Sequence, residues 1–239
     1  MSYKRLDPED FLVSIDSITS TVWSDNTPTL VTFFTSSTTS TNDTYYKNVY
    51  KDSSRTDVEF AISYGDKIGS GSTNFNNLVP YITPTRTVYG QFRNLIYGDE
   101  NTEFNFGGTD SETFWAITVD RARYKEKLLP GTFNLSISGS SGDGLIYLTD
   151  NSGMVATDTY LDCGRVYQII SGSNGTSYNG GTGYSTSSGS YGLFLPDIST
   201  LILNPAAIGV PPNRTSNSAG DNISLMFEAI SGSIAGAGI

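Results

Sequence analysis

Residues 132–150 read Thr132-Phe-Asn-Leu-Ser-Ile-Ser-Gly-Ser-Ser-Gly-Asp-Gly-Leu-Ile-Tyr-Leu-Thr-Asp150, and this stretch decides the fold class. Phe133, Leu135 and Ile137 alternate with small polar residues, and Ile146 and Leu148 keep the same spacing on the return. A period of two places one set of side chains on one face of a strand. Between the runs, Ser141-Gly-Asp-Gly144 supplies the positive-φ positions that a tight hairpin demands. Asp150-Asn-Ser-Gly153 turns the chain again, and residues 166–170 make a further strand. The whole reads as an antiparallel meander.

Working outward, alternation recurs at Val58, Phe60, Ile62 and Tyr64, and at Phe104 and Phe106 before Gly107-Gly108. Residues 11–15, 30–34 and 45–50 are strand-like, with a hydroxyl-rich loop over 36–44 and a long exposed loop over 66–77. Residues 88–97 fit a strand or a short helix, because Val88, Phe92, Leu95 and Ile96 keep helical spacing. Tyr191, Leu193 and Leu195 open the last strand region, followed by residues 201–203. Asp7 to Asp10 reads as a capped turn. Asp221-Asn222 reads as the cap of a short helix with Ile223, Phe227 and Ile230 on one face. The expected fold is mainly β: an antiparallel, sandwich-like core with long Gly/Ser-rich loops and few short helices. An N-terminal β region over 1–130 and the meander over 131–210 are expected to share one domain. A linker and C-terminal segment follow over 211–239, ending in the small apolar run from Gly232.

Composition narrows the chemistry. Apolar residues are 37%, aromatics 12% and charged residues 16%, with Ser and Thr about a quarter of the 239. Such a chain suits many short strands joined by turns, with hydroxyl-bearing faces toward water. It contains no histidine, which removes Ser-His-Asp and Cys-His triads together with His metal ligands. Cys163 is alone, so no intrachain disulfide forms, and it reads as a small buried hydrophobe. No signal-peptide pattern or apolar span occurs, which predicts synthesis in the cytoplasm and no membrane span. A net charge of −10 argues against nucleic acid as the partner.

The acids gather at Asp7, Glu9 and Asp10, at Asp99 and Glu100, and at Asp110 and Glu112. Each cluster sits among turn residues and reads as solvated loop chemistry, not as a glycosidase pair. No cofactor, metal or catalytic residue is expected. Two other stretches stand out. Arg121-Ala-Arg-Tyr-Lys-Glu-Lys127 holds four of the fourteen basic residues. If the strand of Trp115, Ile117 and Val119 continues, Arg121, Arg123, Lys125 and Lys127 form one row, the preferred reading. If a helix starts at Asp120, they form two rows. Such a strip on an acidic protein points to a docking surface, set against the alternative of a solvated edge. Residues 171–190 are almost entirely Ser, Gly, Thr, Asn and Tyr. That loop is expected to be mobile in the isolated chain and to order on a partner through Tyr178 and Tyr184.

Four stretches carry a resemblance: Tyr3-Lys-Arg-Leu-Asp-Pro-Glu-Asp-Phe-Leu-Val-Ser-Ile15, Tyr97-Gly-Asp-Glu-Asn101, Arg121-Ala-Arg-Tyr-Lys-Glu-Lys-Leu-Leu-Pro-Gly131 and Gly164-Arg-Val-Tyr167. They resemble virion structural proteins of T-even-like contractile-tailed phages of cyanobacteria. The resemblance implies a non-enzymatic tail or baseplate component of the virion, contacting copies of itself and other virion proteins. Its alternatives are a capsid decoration or neck protein, and an adhesin for a host receptor or surface glycan.

Overall fold

The computed structural model describes residues 23–24, 30, 34–35, 45–72, 84–138, 145–214 and 219–231. The expected strand over 11–15, the Asp7–Asp10 turn, the 36–44 loop, the 141–144 turn and the terminal apolar run lie outside them. Along the chain run β1 (Phe34–Thr35), β2 (Lys47–Tyr50), β3 (Val58–Asp66), α1 (Thr85–Tyr97), β4 (Phe104–Phe106), β5 (Thr109–Ser111) and β6 (Thr113–Val119). Then come β7 (Leu135–Ser138), β8 (Leu145–Asp150), β9 (Thr159–Leu161), β10 (Gly164–Ser173), β11 (Thr176–Ser177), β12 (Gly192–Leu195), β13 (Thr200–Leu203), α2 (Pro205–Ile208) and α3 (Ala219–Ser231). The mainly β, antiparallel expectation holds.

Eleven of these strands form one sheet, in the order β1-β2-β3-β6-β13-β12-β10-β8-β7, with β9 and β11 paired onto β10. The chain meanders inward from β1 to β6, crosses to the far edge at β7, and meanders back until β13 pairs with β6. The register there is Leu201 opposite Ile117, and Ile62 faces Ile117 from the other side. Residues before and after position 130 thus share a sheet.

The central strands are buried on both faces. Trp115, Ile117 and Val119 of β6 join one core, whereas Phe114 and Ala116 join another. Such strands read as continuous apolar runs, as Gly192–Leu195 and Thr200–Leu203 also do. Over the Phe114 face lie α1, through Tyr89 and Ile96, and the β4–β5 hairpin, through Phe104 and Phe106. Residues 88–97 therefore take the helical option, ended by Gly98 in the left-handed region.

Over the Trp115 face lies α3, with Ile223, Met226 and Ile230 buried. Lys47 Nζ on β2 reaches Ser224 Oγ at 3.0 Å, and Ser138 Oγ on β7 donates to Ala229 O at 3.2 Å. Five helical residues span about 7.5 Å. In a flat sheet the seven steps from β2 to β7, each about 4.8 Å, would separate those strands by about 34 Å. The sheet therefore curls into a trough around α3. Asn222 is inside this helix, not its cap. Its side chain accepts from Asn213 N at 2.7 Å and donates to Asn213 O at 3.1 Å, tying the linker to the helix.

Candidate functional site

The cationic run is the connection that crosses from β6 to β7. Its strand reading is overturned, because β6 ends at Val119 and Arg121–Arg123 form a single 3-10 turn. Asp120 provides the reason. Its carboxylate accepts from Ala122 N at 2.9 Å and its carbonyl from Arg123 N at 2.9 Å, so a local partner displaces the ladder. The four cations do not form one row. Arg121 donates to Tyr124 O at 2.6 Å and lies 4.8 Å over the Tyr124 ring. Arg123, with its side chain only 15% exposed, stands 3.8 Å from Asp57. Lys127 stands 4.0 Å from Asp197. Lys125 is exposed and has no partner among the described residues.

The crossing is fastened to the sheet as well. Leu128 N donates to Pro196 O at 3.1 Å, and Gly131 N donates to both oxygens of the buried Asp150 at 3.1 and 2.9 Å. Asp197, beside Pro196, is the node that sequence reading missed. Arg165 donates to it from Nη2 at 2.7 Å, from Nε at 3.2 Å and from its backbone at 2.8 Å. The Arg165 guanidinium holds the Asp197 carboxyl below the usual carboxylate range. Gly164 has φ 109°, and a Cβ there would come within 2.6 Å of Asp197 Oδ2. The signal for this node was a glycine directly before an arginine, but the distant aspartate could not be chosen from sequence alone.

Three of the stretches that carry the resemblance meet at this corner. Residues 164–167 and 121–131 converge on Asp197 and Pro196. Gly98, of the 97–101 stretch, packs against Asp162 in the β9–β10 turn. Three of the acids noted in the sequence, Asp99, Asp110 and Glu112, are structural joints. Asp99 accepts from Asn101 N and Thr102 N, each at 3.0 Å, and Asp110 from Asn105 Nδ2 at 2.6 Å. Glu112 accepts from Arg214 at 3.0 Å, and Arg214 also grips Asp66 at 2.9 and 3.0 Å. Cys163 is half-buried, and desolvation pushes its thiol up to about 11.

Residues 171–190 form a layer of short pairings and turns on the sheet, where their composition predicts a low-complexity loop. Gly172 pairs with Ser177 across the β10–β11 hairpin, and Ser171 N donates to Gly183 O at 3.0 Å. Gly183 lies on the buried Ile170. Ser190 N donates to Phe106 O at 3.1 Å, and Asn204 Nδ2 donates to Ser188 O at 2.7 Å and Ser190 O at 2.9 Å. Gly189 has φ 74°, and a Cβ there would be 2.1 Å from Phe106 O. Glycine is required for so close an approach of two backbones.

The two tyrosines separate. The Tyr184 ring rests on Gly107 of the β4–β5 turn, whereas Tyr178 is 56% exposed. The layer encloses an open hollow of about 350 Å³. Among the described residues no group of three His, Cys, Asp or Glu side chains is placed to hold a metal ion. No helix of the described residues is long and apolar enough to cross a membrane. No known protein family, curated protein or solved structure matches the chain.

Proposed function

We propose that the chain is a non-enzymatic structural protein of a phage virion, a tail or baseplate component that joins subunits. The observation that carries this reading is the set of exposed tyrosines. Tyr45, Tyr46, Tyr147, Tyr160 and Tyr178 all present large rings to solvent, with Tyr160 at 66%. Tyrosine is the side chain that protein interfaces enrich, because it offers rigid contact area with a polar tip. The sequence resemblance supports the same reading. So does the structural use of the acids, since Asp66, Asp150 and Asp197 fasten connections instead of facing a cleft.

The crossing contributes Arg121 and Lys125 as its outward charges, with Lys127 beside them. Arg123 belongs to the inner side, which shifts the weight of docking away from it. The partners are copies of this chain or other virion proteins offering acidic groups. A density map of purified particles tests the proposal. Copies related by the tail symmetry, with Tyr160 or Tyr178 covered by neighbours, are expected. A chain absent from washed particles, or a map that leaves all five tyrosines facing solvent, overturns it.

A further inference from the structure

The hollow formed by the folded 171–190 layer has an unusual lining. Ser171, Ser177, Asn179, Thr182, Tyr184 and Ser185 contribute to it, and no charged side chain does. Its volume of about 350 Å³ falls at the small end of clefts that hold small molecules, about 300–1,000 Å³. Two of the lining hydroxyls are fixed from within. Ser177 Oγ donates to Gly180 O at 3.1 Å and Thr182 Oγ1 to Tyr184 O at 3.0 Å, leaving their lone pairs free to accept. The Ser171 hydroxyl, the Asn179 carboxamide and the Tyr184 hydroxyl make no hydrogen bond to any described residue. Each of these three both donates and accepts.

The chemistry of the occupant follows from that inventory. An ion would find no counter-charge among these residues. A purely apolar ligand would leave the polar groups unpaired. What remains is a neutral molecule carrying adjacent donors and acceptors, as the vicinal hydroxyls of a sugar ring do. Rings for contact with sugar C–H faces are at hand. The lining itself supplies two, Tyr184, held on Gly107, and Tyr191. Because backbone bonds already order the layer, little ordering entropy opposes binding. We propose that this hollow is a binding site for a neutral saccharide. The site is open, so exchange is fast and affinity low. The proposal stands apart from the assembly reading, since it concerns what the isolated chain binds.

The test is amide NMR of the full chain titrated with neutral trisaccharides of glucose, galactose, mannose and N-acetylglucosamine. A sulfated heparin trisaccharide serves as the charged control. Saturable shifts confined to residues 171–191 with at least one neutral member are expected, and none with the control. Asn179→Ala, at an exposed position, and Tyr184→Phe, which keeps the ring on Gly107 and removes only the hydroxyl, should each weaken binding roughly threefold to tenfold. No saturable shift with any neutral member, equal response to the control, or unchanged affinity in both variants overturns the proposal. Incorporation of Asn179→Ala into particles reads assembly separately.

Discussion

The two ends of β10 hold their neighbours by opposite means. At its start, Arg165, Asp197 and Lys127 fasten the crossing through charge. At its end, residues 171–190 are fastened by backbone hydrogen bonds together with neutral side chains, Asn134, Thr149 and Asn204 among them, with no charged residue in the segment. Both ends place a glycine where the approach is closest, Gly164 against Asp197 and Gly189 against Phe106 O. The difference teaches that a connection lying on a sheet needs a full set of partners but not one kind of chemistry. The charged end should answer to pH and salt, and the neutral end to steric change alone.

The largest effect is expected at the neutral end. Gly189→Val adds a branched side chain at positive φ and drives it into Phe106 O. A cost of about 2–4 kcal/mol is expected, a fall in Tm of roughly 5–15 °C by calorimetry. The deficit should be the same at low and high salt.

Asp197→Asn comes next. It leaves Arg165 without its carboxylate at a site that solvent partly reaches, so about 1 kcal/mol by urea denaturation is expected. Its pH dependence sharpens the contrast. The folded Asp197 carboxyl titrates below the unfolded value of about 3.9 because Arg165 donates to it. Its contribution is therefore complete above that value and disappears as pH falls through the folded pKa. The gap between wild type and Asp197→Asn should close on acidification below pH about 4. The Gly189→Val gap should persist over the same range.

The smallest effect on stability is expected from Arg121→Ala with Lys125→Ala. Both side chains are exposed, so the isolated chain should change by no more than about 0.5 kcal/mol. Association with virion partners, measured by sedimentation, should weaken and lose its salt dependence. Unfolding of the double variant would instead make the crossing an internal clamp throughout.

Much of the sheet is legible in the sequence, because alternation is a local signal. Phe60, Ile62 and Tyr64 share a face as their spacing requires, and Phe104 and Phe106 precede a glycine turn. The end of β6 is less legible. Trp115, Ile117 and Val119 invite continuation, and the local hydrogen bonds of Asp120 accompany its end. Strand order is not local at all. Nothing near residue 130 states that the chain must cross to the far edge, so a connection reads as a free cationic strip. The 171–190 segment is hard to read for a related reason. Ser and Gly signal exposure when counted, yet here glycines let backbone lie flat on Ile170 and Phe106 O. The candidate site was legible through Tyr184 and invisible in Asp197.

The hollow exists only if residues 171–190 are folded without a partner. Hydrogen exchange in a verified monomer measures this directly. The amides of Ser171, Gly175 and Ser190, bonded to Gly183 O, Thr149 Oγ1 and Phe106 O, are the reporters. They should exchange at least roughly 100-fold more slowly than an unstructured chain, an opening free energy of about 2.8 kcal/mol. Exchange of all three at the unstructured rate would contradict the account and return the segment to a mobile loop.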